Sequence, residues 1–184
     1  MRVLIYGFGP YKQFRDNITA KIIRSLPKHS ELSTIVFPVR YRRRQFIEAL
    51  ERHDPDCILG LGQSSRPRIE IESRAINWRR NSDKGPRRAI FKNKPRCLLT
   101  TLDLKAGRHA AKSENAGDYV CNYSMYVLLD YIASKKLDIP FGFIHIPHDC
   151  ERRKAERFVR RVLRNVTARA HGEDFSLGKT LDPQ

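Results

Sequence analysis

The first third of the chain alternates short apolar runs with amphipathic segments, and this alternation restricts the fold more than any other feature. Apolar runs at 2–6, 33–39 and 57–62 have the length of buried strands. The segments between them, 18–26 and 42–53, carry apolar residues at helical spacing. The order strand, helix, strand, helix, strand is typical of α/β proteins. We therefore predict an α/β fold with three layers, in which a mostly parallel, twisted sheet has helices on both faces.

The rest of the chain continues this pattern around one irregular region. Residues 78–97 are polar and basic, and we expect an excursion there with a short hairpin between 88–91 and 97–100. The other expected elements are an extended segment at 69–77, a helix ending near 134, a strand at 141–147 and a helix at about 151–170. Because no linker interrupts residues 1–170, we predict a single domain there. Residues 171–184 have little to bury and are expected to form a mobile tail.

A glycine turn delivers Cys121 into the start of a helix. Gly117 can adopt backbone angles that other residues avoid, and Asp118 is a good N-cap, which places Cys121 at the third helical position. Unpaired N–H groups and the positive end of the helix dipole favour a thiolate there. The pattern indicates a nucleophile, and a small buried apolar side chain is the other interpretation.

A nucleophilic cysteine needs a base and a group that orients the base. His145 is the one histidine of six that lies in an apolar strand, which suits a fixed catalytic base as well as a hydrogen-bonded core histidine. A carboxylate on the alternating segment near residue 70 could hold the second imidazole nitrogen. Glu70 and Glu72 share one face of that segment, so the spacing leaves both as candidates.

Two other kinds of site are excluded by spacing. The histidines, aspartate and cysteine between His145 and Cys150 are crowded into six residues without a matching pair elsewhere, so no metal site is predicted. The glycines of 7–9 and 60–62 follow strands but lack the later glycine or Gly-Lys-Ser/Thr of nucleotide loops. We therefore predict no cofactor.

The chain is strongly basic. Thirty-six Lys and Arg residues against twenty Asp and Glu residues give a formal charge of +16, which attracts nucleic acid, anionic lipid or acidic peptides. Much of the excess lies on predicted helix faces, at 42–44 and 152–169. These residues form either a phosphate-binding surface or ordinary solvated faces.

Cysteine usage and hydropathy bear on the compartment. The four cysteines are widely spaced and form no CxxC pair, which indicates reduced thiols in a cytoplasmic protein. The apolar run at the N-terminus ends in glycine and is typical of a first strand rather than of a targeting peptide. No apolar segment approaches the roughly 18 to 20 residues of a membrane helix, so we expect no membrane association.

Six short motifs follow one another through most of residues 1–147. They are Gly7-Phe8-x-Pro10-aromatic, Asn17-x-Thr19, Pro55-Asp56 with Gly62-Gln63, Ile69-x-Ile71-Glu72, Ala116-Gly117-x-Tyr119-Val120-Cys121-Asn122-Tyr123 and Gly142-Phe143-Ile144-His145-Ile146-Pro147. In this order they resemble the pyroglutamyl peptidase I family, also called pyrrolidone-carboxylate peptidases. The resemblance implies a cytosolic cysteine peptidase domain that removes an N-terminal pyroglutamate from peptides without a cofactor.

The resemblance also assigns roles to individual residues. The catalytic triad of the family falls on Glu72, Cys121 and His145, which selects Glu72 over Glu70. In the family, three aromatic side chains sandwich the flat pyrrolidone ring, and two amide side chains recognise the lactam or its surroundings. Five residues of this chain match those positions. These are Phe8, Tyr11, Tyr119, Asn17 and Gln63.

The chain resembles a divergent and shortened family member. Between Thr101 and Gly117 it is expected to be too short for the helix and following strand of the family, and a loop after Pro147 is missing. Family members form homo-oligomers. The oligomeric state of this chain is left undecided, because such loops shape the oligomer interface. The alternative functions are a basic nucleic-acid-binding or assembly protein without chemistry, and an inactive relative with a buried cysteine.

Overall fold

The fold is a mixed β-sheet with helices packed against it. The computed structural model describes residues 1–11, 15–82, 84–105 and 107–170. The strands are β1 (Val3–Phe8), β2 (Leu32–Phe37), β3 (Cys57–Ser64), β4 (Ile69–Glu72), β5 (Arg74–Ile76), β6 (Cys97–Leu99), β7 (Ala110–Ser113) and β8 (Phe141–Pro147). The helices are α1 (Ile18–Ser25), α2 (Arg43–His53), α3 (Val120–Lys135) and α4 (Arg152–Ala170), with a 3-10 turn at Gly107–His109.

Six strands form the main sheet in the order β2-β1-β3-β8-β4-β7. The pairs from β2 to β8 are parallel, β8 and β4 are antiparallel, and β4 and β7 are parallel to each other. The mostly parallel sheet predicted from the sequence is therefore confirmed. Its β4–β7 edge runs in the opposite direction, and β4 pairs with the middle of β8, from Phe143 to His145.

Two apolar cores lie on opposite faces of this sheet. In β1, Val3 and Ile5 pack in the core that holds α1 and α4, whereas Leu4, Tyr6 and Phe8 pack in the core that holds α2 and α3. This alternation follows from the period of two along a strand. The three layers expected from the sequence are therefore present.

Two local expectations for the middle of the chain were wrong. No hairpin joins 88–91 to 97–100; instead β6 pairs antiparallel with β5, and Arg88 forms a bridge with Arg79. β5 is only three residues long and its partner is remote in sequence, so local alternation could not identify the pair. The segment between Thr101 and Gly117 was expected to be too short for a helix and a following strand. It does contain a strand, β7, because a single 3-10 turn takes the place of the helix.

The carboxyl-terminal tail expected at 171–184 lies outside the described residues. Among the helices that are described, none combines the length and apolar character needed to span a bilayer.

Candidate active site

Two glycines of β3 make room for the side chains of β8. Gly60 and Gly62 pair with Phe143 and His145 in the parallel register. A Cβ atom on Gly62 would lie 2.6 Å from Cδ2 and 2.7 Å from Nε2 of the His145 ring. Such distances are too short for any side chain, so glycine at this position allows the imidazole to lie flat against β3. The Gly-Leu-Gly sequence is thus a packing device beside the candidate base.

His145 is paired with a buried carboxylate. Its Nδ1 lies 2.7 Å from Oε1 of Glu72, which is fully buried, while His145 itself is 5% exposed. The antiparallel register places Glu70 directly opposite His145 and Glu72 opposite Phe143. The hydrogen bond therefore runs diagonally across the two strands, and Glu72 rather than Glu70 orients the ring.

Cys121 lies in the first turn of α3, half-buried, and close enough to His145 to raise the pKa of that imidazole. Gly117 has a φ angle of +79°, in the left-handed region, as the glycine turn predicts. Its N–H donates to Oδ1 of Asn115 at 3.0 Å, which closes the turn. The structure thus brings the thiol, the imidazole and the carboxylate of the predicted triad together.

The expected N-cap of α3 was wrong by one residue. Tyr119 occupies the cap position without a side-chain hydrogen bond, so Cys121 is the second helical residue rather than the third. The Asp118 carboxylate is turned to two arginines, with Oδ2 3.0 Å from Nε of Arg80 and 3.1 Å from Nε of Arg87. Two ion pairs with arginine stabilise the Asp118 carboxylate more than one hydrogen bond from a backbone N–H would. Both arginines lie in the irregular segment 78–97.

Cys121 and Glu72 shift the pKa of His145, and His145 shifts the pKa of Glu72. Burial lowers the pKa of His145, but hydrogen bonds and charge interactions with Cys121 and Glu72 outweigh it and raise the pKa to about 9. Burial raises the pKa of Glu72, and the hydrogen bond from His145, with smaller effects of Ser113 and Arg66, lowers it below its usual value overall. The geometry therefore favours an imidazolium at neutral pH between two groups that can carry negative charge.

Comparison with known proteins places the chain in a family. The sequence profile of the pyroglutamyl peptidase family matches residues 1–156. The pyrrolidone-carboxylate peptidase of Thermococcus onnurineus is 34% identical over 167 residues, which cover 80% of this chain and 84% of that protein. The enzyme of the same name from Lactobacillus acidophilus is 30% identical, with 80% and 84% covered.

The chain belongs to the pyroglutamyl peptidase family. Members of this family are cysteine-type exopeptidases, and the resemblance inferred from the six motifs is confirmed. The fold is also similar to solved structures. A variant pyrrolidone carboxyl peptidase of Pyrococcus furiosus superposes with a TM-score of 0.81 at 25% identity, covering 92% of this chain and 100% of that chain. The Thermus thermophilus protein gives 0.77 at 25% identity, covering 88% and 98%.

Among the family's aromatic positions, the three predicted pocket residues differ in environment. Phe8 is 2% exposed and packs edge-on against Tyr6, with ring centroids 5.8 Å apart. Tyr11 is 37% exposed and Tyr119 is half-buried. Burial raises the pKa of Tyr41, and both Tyr11 and Tyr119 add to this rise, so the three tyrosines lie near one another. Tyr11 and Tyr119 are thus partly accessible, whereas Phe8 is buried in the core.

The two predicted amides are engaged within the chain. Asn17 caps α1: its Oδ1 accepts from the Thr19 N–H at 2.9 Å, and its Nδ2 donates to the Gly9 carbonyl at 3.1 Å. Oε1 of Gln63 accepts from the Ile18 N–H at 3.0 Å. Both side chains therefore fix the start of α1 against the ends of β1 and β3.

Sequence reasoning missed two residues that organise the site. Asn122 is fully buried and joins α3 to the β5 region, accepting from the Ile76 N–H and donating to the carbonyls of Ile76 and Trp78, all at 2.8 Å. Arg66 lies in the loop after β3 and contacts β4, β7 and the turn before α3. Asn122 directly follows Cys121 in the sequence motif, and this position was the one sequence signal that could have identified it.

The described residues contain a groove that is separate from the triad, and they hold no cluster of metal ligands. Within the described ranges, no group of three or more His, Cys, Asp or Glu side chains is placed to hold a metal ion. A groove of about 1150 Å³ lies on the α1 and α4 side of the sheet, and no triad member lines it. Cys121 lies on the opposite face of the sheet.

Proposed function

We propose that this chain is a cysteine exopeptidase that removes an N-terminal pyroglutamate from peptides through Cys121, His145 and Glu72. The observation that carries the proposal is the buried 2.7 Å contact between Glu72 and His145, beside a Cys121 thiol that raises the pKa of the same imidazole. Family membership supports the cysteine peptidase class.

The arrangement supports acyl transfer in two steps. The Cys121 thiolate forms a bond to the carbonyl carbon that follows the ring, and the electron pair of the C=O bond moves to oxygen. The first N–H groups of α3, which have no partner within the helix, stabilise this oxyanion. As the C–N bond breaks, the His145 imidazolium gives its proton to the leaving amine.

The second step regenerates the thiol. Neutral His145 takes a proton from water, and the resulting hydroxide adds to the thioester carbonyl carbon. Breakage of the C–S bond releases free pyroglutamate, and the proton returns to the cysteine and histidine pair. Glu72 stays ionised throughout and holds the Nδ1 side of the ring, so that Nε2 faces the reacting groups.

Substrate recognition is proposed to use flat ring faces and amide groups. A lactam has two apolar faces, one N–H and one C=O, so stacking and two hydrogen bonds can identify it. The partly accessible residues Tyr11 and Tyr119 supply the stacking surface, and buried Phe8 is the third aromatic residue of the set. Asn17 and Gln63 are the two amides of the pocket, and Asn17 acts by capping the start of α1.

The test is release of a fluorogenic amine from its pyroglutamyl amide by the purified protein. Cys121→Ala should lower kcat/KM by roughly 10⁴-fold or more, because it removes the nucleophile. Cys150→Ala is the matched control, since Cys150 is also a half-buried free thiol but lies after β8 and outside the triad. Absence of release by the parent protein, or release that persists in Cys121→Ala, contradicts the proposal.

We propose nucleic-acid binding as a second candidate function, on the basis of the exposed face of α4. Seven basic side chains of this helix are exposed, and Glu156 is the one acidic residue within it, paired with Arg152 at 2.7 Å. Like charges at spacings of three and four along a helix repel, and a polyanion would relieve that repulsion. The seven are Arg152, Arg153, Lys154, Arg157, Arg160, Arg161 and Arg164.

We also propose a cytoplasmic location, supported by four free cysteines in the described structure, which suit a reducing compartment. The homo-oligomer implied by the resemblance stays a prediction.

A further inference from the structure

Two carboxylates share one face of β4 beside a single imidazole. Glu70 lies opposite His145 in the strand register and Glu72 lies one diagonal step away. The Glu70 side chain is 17% exposed and the Glu72 side chain is fully buried. Directly opposite side chains are the closest cross-strand neighbours, so the register alone would favour a contact between Glu70 and His145. The observed hydrogen bond goes to Glu72 instead.

Arg66 accounts for this choice. Its Nη1 donates to Oε2 of Glu70 in a short contact and to Oγ of Ser113 at 3.1 Å, while the same nitrogen lies 3.9 Å from Oε1 of Glu72. Its Nη2 donates to the Asn115 carbonyl at 2.6 Å. The guanidinium therefore binds Glu70 directly and approaches Glu72 only at the limit of an ion pair.

We propose that Arg66 is a positioning residue that assigns the two carboxylates their roles, holding Glu70 away from His145 so that Glu72 alone orients the imidazole. The inference rests on the proposed function, since it concerns the base of that reaction. It extends beyond the triad because it gives Glu70 a defined role: it is a competing partner that must be kept occupied.

The same guanidinium connects this pair to the nucleophile. Asn115, whose carbonyl Arg66 binds, also closes the Gly117 turn with its side chain. Ser113, at the end of β7, accepts from Arg66 and from the Asn115 N–H at 3.2 Å. Arg66 thus links the strand that carries the orienting carboxylate to the turn that carries Cys121.

Removal of Arg66 would leave two carboxylates competing for one imidazolium. Glu70 would lose its cation and gain the opposite imidazolium as its nearest positive partner, and a second negative charge would hold the His145 proton more tightly. The titratable and charged groups that face this region are Cys121 on α3, Tyr6 on β1, Glu70 and Glu72 on β4, and Arg66 on the loop after β3.

The test is a cycle of four proteins: the parent, Arg66→Gln, Glu70→Gln, and the double variant. We expect Arg66→Gln to lower kcat/KM on the pyroglutamyl amide by about 10-fold and to move the basic limb of its pH profile upward. Glu70→Gln should have the smaller effect, because its amide oxygen still accepts from Arg66. The double variant lacks the competitor and should recover most of the lost kcat/KM, with a pH profile close to that of the parent.

A merely structural role of Arg66 predicts the opposite pattern. Loss of a loop anchor would not be repaired by changing Glu70, so a double variant as impaired as Arg66→Gln overturns the proposal. A pH profile of Arg66→Gln that coincides with that of the parent also overturns it. Arg66→Lys keeps the charge but cannot bind Glu70 and Asn115 together, and we expect intermediate activity with the parent pH profile.

A second readout separates this proposal from the choice of substrate. The rate of Cys121 alkylation by iodoacetamide can be followed against pH with Cys57, Cys97 and Cys150 replaced by Ser. The shift in Arg66→Gln and its reversal in the double variant should appear there as well. A parent that releases no pyroglutamate but shows this pattern contradicts the proposed function and keeps the positioning role, whereas a pattern without reversal contradicts the positioning role alone.

Discussion

At the scale of single residues, the charge state of His145 governs the site. The imidazole is almost fully buried, and burial alone would favour its neutral form. Contacts with Cys121 on one side and Glu72 on the other outweigh this effect. In the proposed mechanism, this proton is the one that His145 gives to the leaving amine.

This arrangement predicts the titration of His145. The folded-state pKa is raised from 6.5 to about 9, so the imidazolium stabilises the fold fully below pH 6.5, and that contribution is lost as pH rises through about 9. We expect the His145 ring signals in NMR to titrate near pH 9 in the parent protein. In Cys121→Ala the midpoint should fall, because the thiol contacts that raise the pKa are gone.

The activity should follow the same proton. Above about pH 9 the imidazole is neutral and cannot protonate the leaving amine, so kcat/KM should decline there. A His145 midpoint near 6.5 in the parent, or an unchanged midpoint in Cys121→Ala, would show that the pairing does not hold the proton.

At the scale of elements, the site depends on how closely β3 and β8 approach. The imidazole rests on Gly62, so the space above that glycine is part of the site although glycine has no side chain. The sequence placed Gly60 and Gly62 at the end of a strand and excluded a nucleotide loop, but it gave no reason for two glycines inside a strand. The reason is the size of Phe143 and His145 on the neighbouring strand.

Gly62→Ala tests this packing. The new methyl group would lie 2.6 Å from the His145 ring and must displace it, and a shift of about 1 Å in a catalytic group can cost about 100-fold in rate. We expect that loss in kcat on the pyroglutamyl amide with the far-ultraviolet circular dichroism spectrum retained. Gly9→Ala is the matched control, because its nearest contact is an ordinary 3.7 Å. Equal losses in the two variants would argue against a specific role of Gly62.

The elements also show what local patterns can and cannot reveal. Cys121 and His145 were identified because a helix start and an apolar strand are visible in the sequence around each of them. The choice between Glu70 and Glu72 was not visible from spacing, since both lie on one face and the outcome depends on Arg66 and on pairing with β8. The Asp118 cap failed for the same reason: its partners, Arg80 and Arg87, are distant in the sequence.

At the scale of the whole molecule, one cluster of positive charge, the exposed face of α4, lies on the side of the sheet opposite Cys121. The basic face of α4 borders the groove of about 1150 Å³ on the side of the sheet opposite α3, and five of the residues that line this groove are Lys or Arg on α4. Chemistry and polyanion binding could therefore occur on separate faces without competition. This separation makes the second candidate function independent of the first.

Binding of a single-stranded RNA oligonucleotide, measured by fluorescence anisotropy at several salt concentrations, tests that face. Replacing three α4 arginines by Gln should weaken binding and reduce the slope of log K against log salt by about 2, since each released phosphate contact contributes about 0.7. The three are Arg153, Arg157 and Arg164. A control variant removes the same charge elsewhere, at Arg40, Arg42 and Arg52, which are exposed outside α4. Absent binding, or the same slope in both variants, rules out this surface.

The position of β8 in the sheet has a consequence for synthesis. This strand is the last of the eight along the chain, yet it lies between β3 and β4 and supplies the candidate base. Until it emerges from the ribosome, β4 and β7 have no strand that joins them to the rest of the sheet, and Glu72 has no imidazole to hold. A nascent chain can therefore carry Cys121 on a formed helix and still lack a working peptidase. The candidate triad is therefore complete only when the last strand of the sheet is in place.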